Sequence, residues 1–162
     1  KLLFPALRLS FIVLPESLVP AAERRLEPVS SRAPLLGQEA LAHFIADGHL
    51  ATHLRRTRPI YAARQQALLA AIDRHLGRWL HAEPDPGGLH LVARPVPRIA
   101  ATFDDRRVSA AAARAGIVAA PLSACYAGRR SQQGLVLGYV GTPEPVIDKA
   151  CATLAGILRR PG

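Results

Sequence analysis

Two hydrophobic periods run along this chain, one of strands and one of helices. The run Leu9-Ser-Phe-Ile-Val-Leu14 is β-branched and aromatic and is closed by Pro15, which predicts a buried strand. Ala21 to Leu26 reads as a short helix, and the Ser- and Pro-rich stretch from Pro28 to Pro34 as a connection. From Gln38 the pattern is helical, with Leu41, Phe44 and Ile45 on one face, until Asp47-Gly48 interrupts it. Gly48 suits a left-handed cap. A second helical stretch carries Leu50 and Leu54, and Pro59 either kinks it or sits in the first turn of a new helix. Beyond the proline, Tyr61, Leu68, Ile72, Leu76 and Trp79 form one apolar stripe, opposite a polar face that includes Arg64, Gln65 and Arg74.

The second half repeats shorter pieces. Glu83-Pro-Asp-Pro-Gly-Gly88 is a turn, and Leu89 to Pro95 alternates like a strand. Asp104 to Gly116 is a helix with acids at its start and glycine at its end, as the helix dipole and a C-cap prefer. Ile117 to Ala120 and Gly134 to Val140 are short strands. Glu144 to Arg159 is a final helix, with Val146, Ala150, Leu154 and Ile157 or Leu158 turned inward. The order strand, helix, strand, strand, helix predicts a small α/β layer, an antiparallel or mixed sheet with helices on one face.

Composition narrows this picture. Aromatics are 5% of the 162 residues, so the core must be built from Leu, Ala, Val and Ile. The net charge of +9 invites nucleic acid or phosphorylated ligands. Almost every basic residue is arginine in an Ala-, Leu- and Pro-rich chain, however, and such composition also follows from a GC-rich genome. Arg8 and three prolines break the apolar opening, so no membrane span is expected, and no small-residue cleavage site makes it a signal peptide. Cys125 and Cys151 are expected to be reduced thiols of a cytoplasmic protein. The chain holds no methionine and opens within an apolar run, so it is expected to be a fragment.

Six segments in order carry a resemblance: Lys1-Leu-Leu-Phe-Pro-Ala-Leu-Arg8-Leu-Ser-Phe; Phe44-Ile-Ala-Asp-Gly-His-Leu-Ala-Thr-His-Leu-Arg-Arg-Thr-Arg58; Gly87-Gly-Leu-His-Leu91; Ala115-Gly-Ile-Val; Pro121-Leu-Ser; and Gly134-Leu-Val-Leu-Gly-Tyr139. Together they resemble MocR-type, GntR-family transcriptional regulators, over nearly the whole chain. The resemblance implies an α/β fold, the C-terminal portion of a pyridoxal-phosphate (PLP) dependent, class I/II aminotransferase. Residues 1–33 would end the large PLP-binding domain, 34–81 would form an interdomain helical segment, and 82–162 the small C-terminal α/β domain. It makes Lys1 the lysine that carries the cofactor and the catalytic position, and Arg8 a ligand of the cofactor phosphate. A lysine with a flexible stem suits the first role and a two-pronged guanidinium the second.

The same resemblance implies a homodimer, DNA binding through an N-terminal domain absent from this chain, and a small amine or vitamin B6 species as effector. Some residues depart from the pattern: Ser10 replaces a usual glycine and Thr57 a usual methionine. Classical aminotransferases clamp the substrate carboxylate with an arginine near the strand where this chain has Leu135. Arg129 and Arg130, just upstream, are the candidates for effector binding in its place. Two classes therefore stay open, a ligand-sensing regulator and a PLP-dependent aminotransferase. His49 and His53 are four apart on one helix but have no third ligand in sequence, so no metal is expected. Arg55, Arg56 and Arg58 suit either phosphate contact or a solvated face. Tyr126 and Tyr139 are expected to be packing residues.

Overall fold

The computed structural model describes residues 9, 12–26, 35–128 and 132–159. Internal contacts divide the chain into two units, 1–55 and 56–162. In the first, a single turn at Glu16–Leu18 leads into helix α1, Val19–Leu26, and helix α2 follows at Leu35–Ala46. No residue of α1 is buried. The backbone N–H of Asp47 and that of Gly48 close α2 onto the carbonyls of His43 and Ile45, with Gly48 in the left-handed region at φ 76°.

The strand expected over 9–14 is not seen at its described residues. Leu9 and Ile12 to Leu14 have no regular structure, and Ile12 and Val13 are 68% and 84% exposed. Residues 10 and 11 lie outside the described ones. A strand needs partners for its backbone N–H and C=O groups, which composition alone does not supply.

Helix α3 runs over His49–Ala71 with Pro59 inside it, so the proline does not open a new helix. A π-helical turn at Ile72–Leu76 extends it. The apolar stripe explains that turn. Leu68, Ile72 and Leu76 are spaced by fours, and two steps of four overshoot two α-helical turns of about 3.6 residues each. The wider π turn keeps Leu76 on the buried side. Leu68 is 4% exposed, Ile72 and Leu76 0%, and Tyr61 and Trp79 pack against the same core.

The second unit closes with a four-stranded antiparallel sheet of order β1-β2-β4-β3, where β1 is Leu80–His81, β2 His90–Pro95, β3 Ala120–Pro121 and β4 Leu135–Gly138. Alternation along the strands sends Leu80, Leu91, Ala93, Leu135 and Leu137 into the core. Helices α4, Asp105–Arg114, and α5, Glu144–Arg159, supply the rest of that core through Val108, Ala112, Ile147, Cys151 and Leu154. The expected antiparallel sheet and its two helices are present. The stripe of α5 differs from expectation: Val146 is 52% exposed, and Ile147, Cys151, Leu154 and Ala155 face inward. Apolar residues sit on both sides of this helix's first turns, so period alone did not choose between neighbouring faces.

Gly134 sets how closely β2 and β4 approach. A Cβ there would stand 2.8 Å from the Ala93 carbonyl oxygen and 3.3 Å from Leu122 Cδ2. Gly134→Ala is expected to destabilise the fold by about 1–3 kcal/mol through overpacking against backbone. The denaturant midpoint measures this, and an unchanged midpoint would show that the strands can part there without cost.

Candidate effector site

The N-terminus of α4 holds the most elaborate polar arrangement described. Asp104 caps the helix, its Oδ1 accepting from the N–H of Arg107 at 2.9 Å. Asp105 turns the other way and is fully buried. Its Oδ2 accepts from the backbone N–H of Ser123 at 2.8 Å and of Gly134 at 3.2 Å, and its Oδ1 accepts from the Ser123 hydroxyl at 2.7 Å. The N–H of Asp105 donates to Gln133 Oε1 at 2.9 Å. One residue thus ties together both ends of the segment between Ser123 and Gly134, the segment that carries Arg129 and Arg130. Those two arginines lie outside the described residues. Within the segment Tyr126 is 40% exposed, so it is not the packing residue expected; Tyr139, 1% exposed, is.

The segment ends beside the open face of the sheet. Arg94 on β2 donates from Nε to Gln132 Oε1 at 3.4 Å, and His81 stands across from Arg94 in the β1–β2 register. Val92 and Val136 face each other one step along. Leu135 is 0% exposed and points into the core, while Val136, half-buried, lies on the other face of β4. Neither side chain offers a guanidinium. The pleat alternates faces residue by residue, and the sequence alone had not fixed which parity was buried.

A second polar cluster fastens α3 to the loops of the same unit. The Tyr139 hydroxyl donates to the Gly88 carbonyl at 2.6 Å and accepts from Gln65 Nε2 at 2.9 Å, which also reaches the Asp85 carbonyl at 2.7 Å. Arg64 donates to the Val140 carbonyl and lies 3.9 Å from Glu144. Sequence reading placed Arg64 and Gln65 on the polar face of α3 and missed this role, which needs the chain to return some 75 residues later.

His49 packs its ring against Phe44 at 5.4 Å, and among the described residues no group of three His, Cys, Asp or Glu side chains could hold a metal. Arg55, Arg56 and Arg58 are exposed on α3, Arg55 donating to Thr52 Oγ1 at 2.9 Å. Among the described residues no helix is long and apolar enough to cross a membrane. Both cysteines are free. Burial, and then the Asp148 charge, push the Cys151 thiol up to about 11, while Cys125 is exposed. The thiolate is the reactive form, so iodoacetamide at mildly alkaline pH is expected to label Cys125 and spare Cys151. Equal labelling, read by mass spectrometry on the folded protein, would contradict the burial of α5's inner face.

The cofactor implied by the sequence calls for a lysine amine and a phosphate-binding guanidinium. Lys1 and Arg8 lie outside the described residues, and the one described lysine, Lys149, is exposed on α5. The described geometry therefore supplies no step through that group.

No protein-family model matches the chain. It is 40% identical over 141 residues to the probable rhizopine catabolism regulatory protein MocR of Rhizobium meliloti, which takes in 87% of this chain and 28% of that protein. It is 29% identical over 144 residues to the HTH-type transcriptional regulator YhdI of Bacillus subtilis strain 168, covering 89% of this chain and 30% of that one. The chain thus spans less than a third of the length of these curated relatives. Among solved structures it is similar to the alpha-aminoadipate aminotransferase of Thermus thermophilus, with a TM-score of 0.76 at 20% identity over 96% of this chain and 39% of that one. It is also similar to a multiple substrate aminotransferase of Thermococcus profundus, with a TM-score of 0.72 at 18% identity over 89% and 35%. The fold is that of the aminotransferases, and by sequence and fold together the chain belongs to the MocR-type regulators, as the C-terminal part of their aminotransferase-like domain.

Proposed function

We propose that this chain is the C-terminal portion of an effector-sensing domain in a PLP-binding transcriptional regulator of the cytoplasm. Residues 1–33 end the cofactor domain, 34–81 join it to the small domain, and 82–162 form that small domain. Lys1 holds the cofactor through its side-chain amine, and Arg8 binds its phosphate by two parallel charge-assisted hydrogen bonds. Pyridoxal phosphate, when bound, supplies an aldehyde able to combine with amines. Arg129 and Arg130 meet the anionic part of a small amine or vitamin B6 effector, on a segment whose ends Asp105 fixes. Ligand binding changes the DNA affinity of a domain elsewhere in a homodimeric protein.

The observation that carries this reading is the pairing of an aminotransferase fold with 40% identity to a regulator. The test uses the full-length protein and its own promoter DNA. Mobility-shift titrations with and without PLP and candidate amines are expected to show ligand-dependent DNA affinity without multiple turnover. Sustained amino transfer to a keto acid, with no DNA binding, would establish the aminotransferase reading instead.

A further inference from the structure

The helical side of the small domain is not fully closed. Between α4, α5 and the segment 97–103 lies a groove of about 840 Å3, floored by Trp79, Phe103, Ile157 and Leu158. These four side chains pack against the core yet stay partly open to solvent. A groove of this size matches the range of about 300–1,000 Å3 in which small organic ligands bind, on apolar walls with a few polar groups. Gly156 of α5 borders it, and a Cβ built there would meet nothing within 4 Å.

The rim is cationic. Arg107 and Arg114, two helical turns apart on α4, both border the groove and are exposed. Neither forms an ion pair among the described residues. The hydroxyls on the rim are turned away, since Thr102 donates to the Ile99 carbonyl and Thr153 to the Lys149 carbonyl. The rim's carboxylate, Asp104, is engaged as the cap of α4. With a net charge of +9, the chain has few acids left to neutralise two guanidiniums. An apolar floor beneath two guanidiniums without ion pairs is complemented by an apolar body that carries negative charge.

We propose that this groove is a further ligand site, for amphipathic organic anions such as an aromatic or aliphatic carboxylate or sulfonate. The apolar body lies on Trp79 and Phe103, and the anion meets Arg107 and Arg114 at the rim. Trp79, the single tryptophan of the chain, reports on occupancy directly.

The experiment titrates the full-length protein with anilinonaphthalene sulfonate and follows energy transfer from Trp79, identified by its loss in Trp79→Phe. The neutral phenylnaphthylamine serves as a charge control. Gly156→Phe, which fills open space, is expected to weaken both probes at least tenfold. The double variant Arg107→Ala/Arg114→Ala is expected to weaken the anionic probe by about tenfold, as for lost hydrogen bonds to a charged group, and to leave the neutral probe unchanged. Gly156→Ala, which adds a better helix former and reaches nothing, is expected to bind like the parent and controls for folding. No Trp79-dependent transfer, as when another part of the protein covers the groove, would overturn the proposal. So would transfer insensitive to Gly156→Phe, or arginine substitutions that weaken both probes alike.

Discussion

Replacing Asp105 with alanine is expected to cost about 3–5 kcal/mol of stability, a loss at the upper end for a single substitution. The carboxylate is fully buried and serves three donors: two backbone N–H groups and the Ser123 hydroxyl. Alanine removes every acceptor at once. Each buried donor left without a partner costs about 1–3 kcal/mol, and the Ser123 hydroxyl can rotate to recover part of that. The two N–H groups cannot rotate, being fixed at Ser123 and at Gly134, just before β4. Asparagine behaves differently. Its carbonyl oxygen can take the Oδ2 position and keep both N–H bonds, while its amide donates to the Ser123 oxygen. Asp105→Asn is therefore expected to lose about 1 kcal/mol, close to one ordinary hydrogen bond. Chemical denaturation of the three proteins tests the pair of values. Equal losses for Ala and Asn would mean that the negative charge, and not the acceptor geometry, holds the segment ends together.

That node shows what kind of information the sequence carried. The bounds of α4 and α5 were legible because acids at the start and apolar spacing agree, with Gly116 beyond the end of α4. The capping chemistry at Asp104-Asp105 was legible as a charge preference only. A stronger signal was present: Asp105, Val108 and Ala112 share one helical stripe, so stepping back from Val108 places a carboxylate at the core. A buried acid on a helix's first turn demands donors from elsewhere, and Ser123 and Gly134 supply them. Their identity depends on strand order β1-β2-β4-β3, which local pattern does not give.

The failures share that cause. Leu9 to Leu14 has a strand's composition, but a strand forms only where another offers its edge, and composition does not say whether one does. The direction of Leu135 depends on a pleat parity that only the pairing Val92↔Val136 and Ala93↔Leu135 fixes. The polar clasp of Gln65 on Tyr139 is non-local in the same way. The stripe from Tyr61 to Trp79, by contrast, is local. It located the long helix and, through its spacing in fours, held the trace of the π turn at Ile72–Leu76.

In the full-length protein, Lys1→Ala is expected to abolish covalent attachment of PLP, seen as loss of the near-ultraviolet to visible band of the bound cofactor. Some affinity should survive, because contacts to the phosphate do not pass through the lysine. Arg8→Ala is expected to lower that affinity by about 1.5–3 kcal/mol, the range for hydrogen bonds to a charged group. At about 1.4 kcal/mol per decade this is roughly ten- to a hundredfold. Arg8→Lys should recover only part of the loss, since an ammonium restores the charge without the two parallel hydrogen bonds of a guanidinium. Arg129→Ala separates the cofactor from the effector: PLP binding should be unchanged, and any loss should appear only in the affinity for an anionic effector. Calorimetric titration with PLP across the series measures all four. Equal affinity in the parent and in Arg8→Ala would remove Arg8 from the phosphate site while leaving the aminotransferase fold intact, because the fold rests on the small-domain geometry and not on that residue.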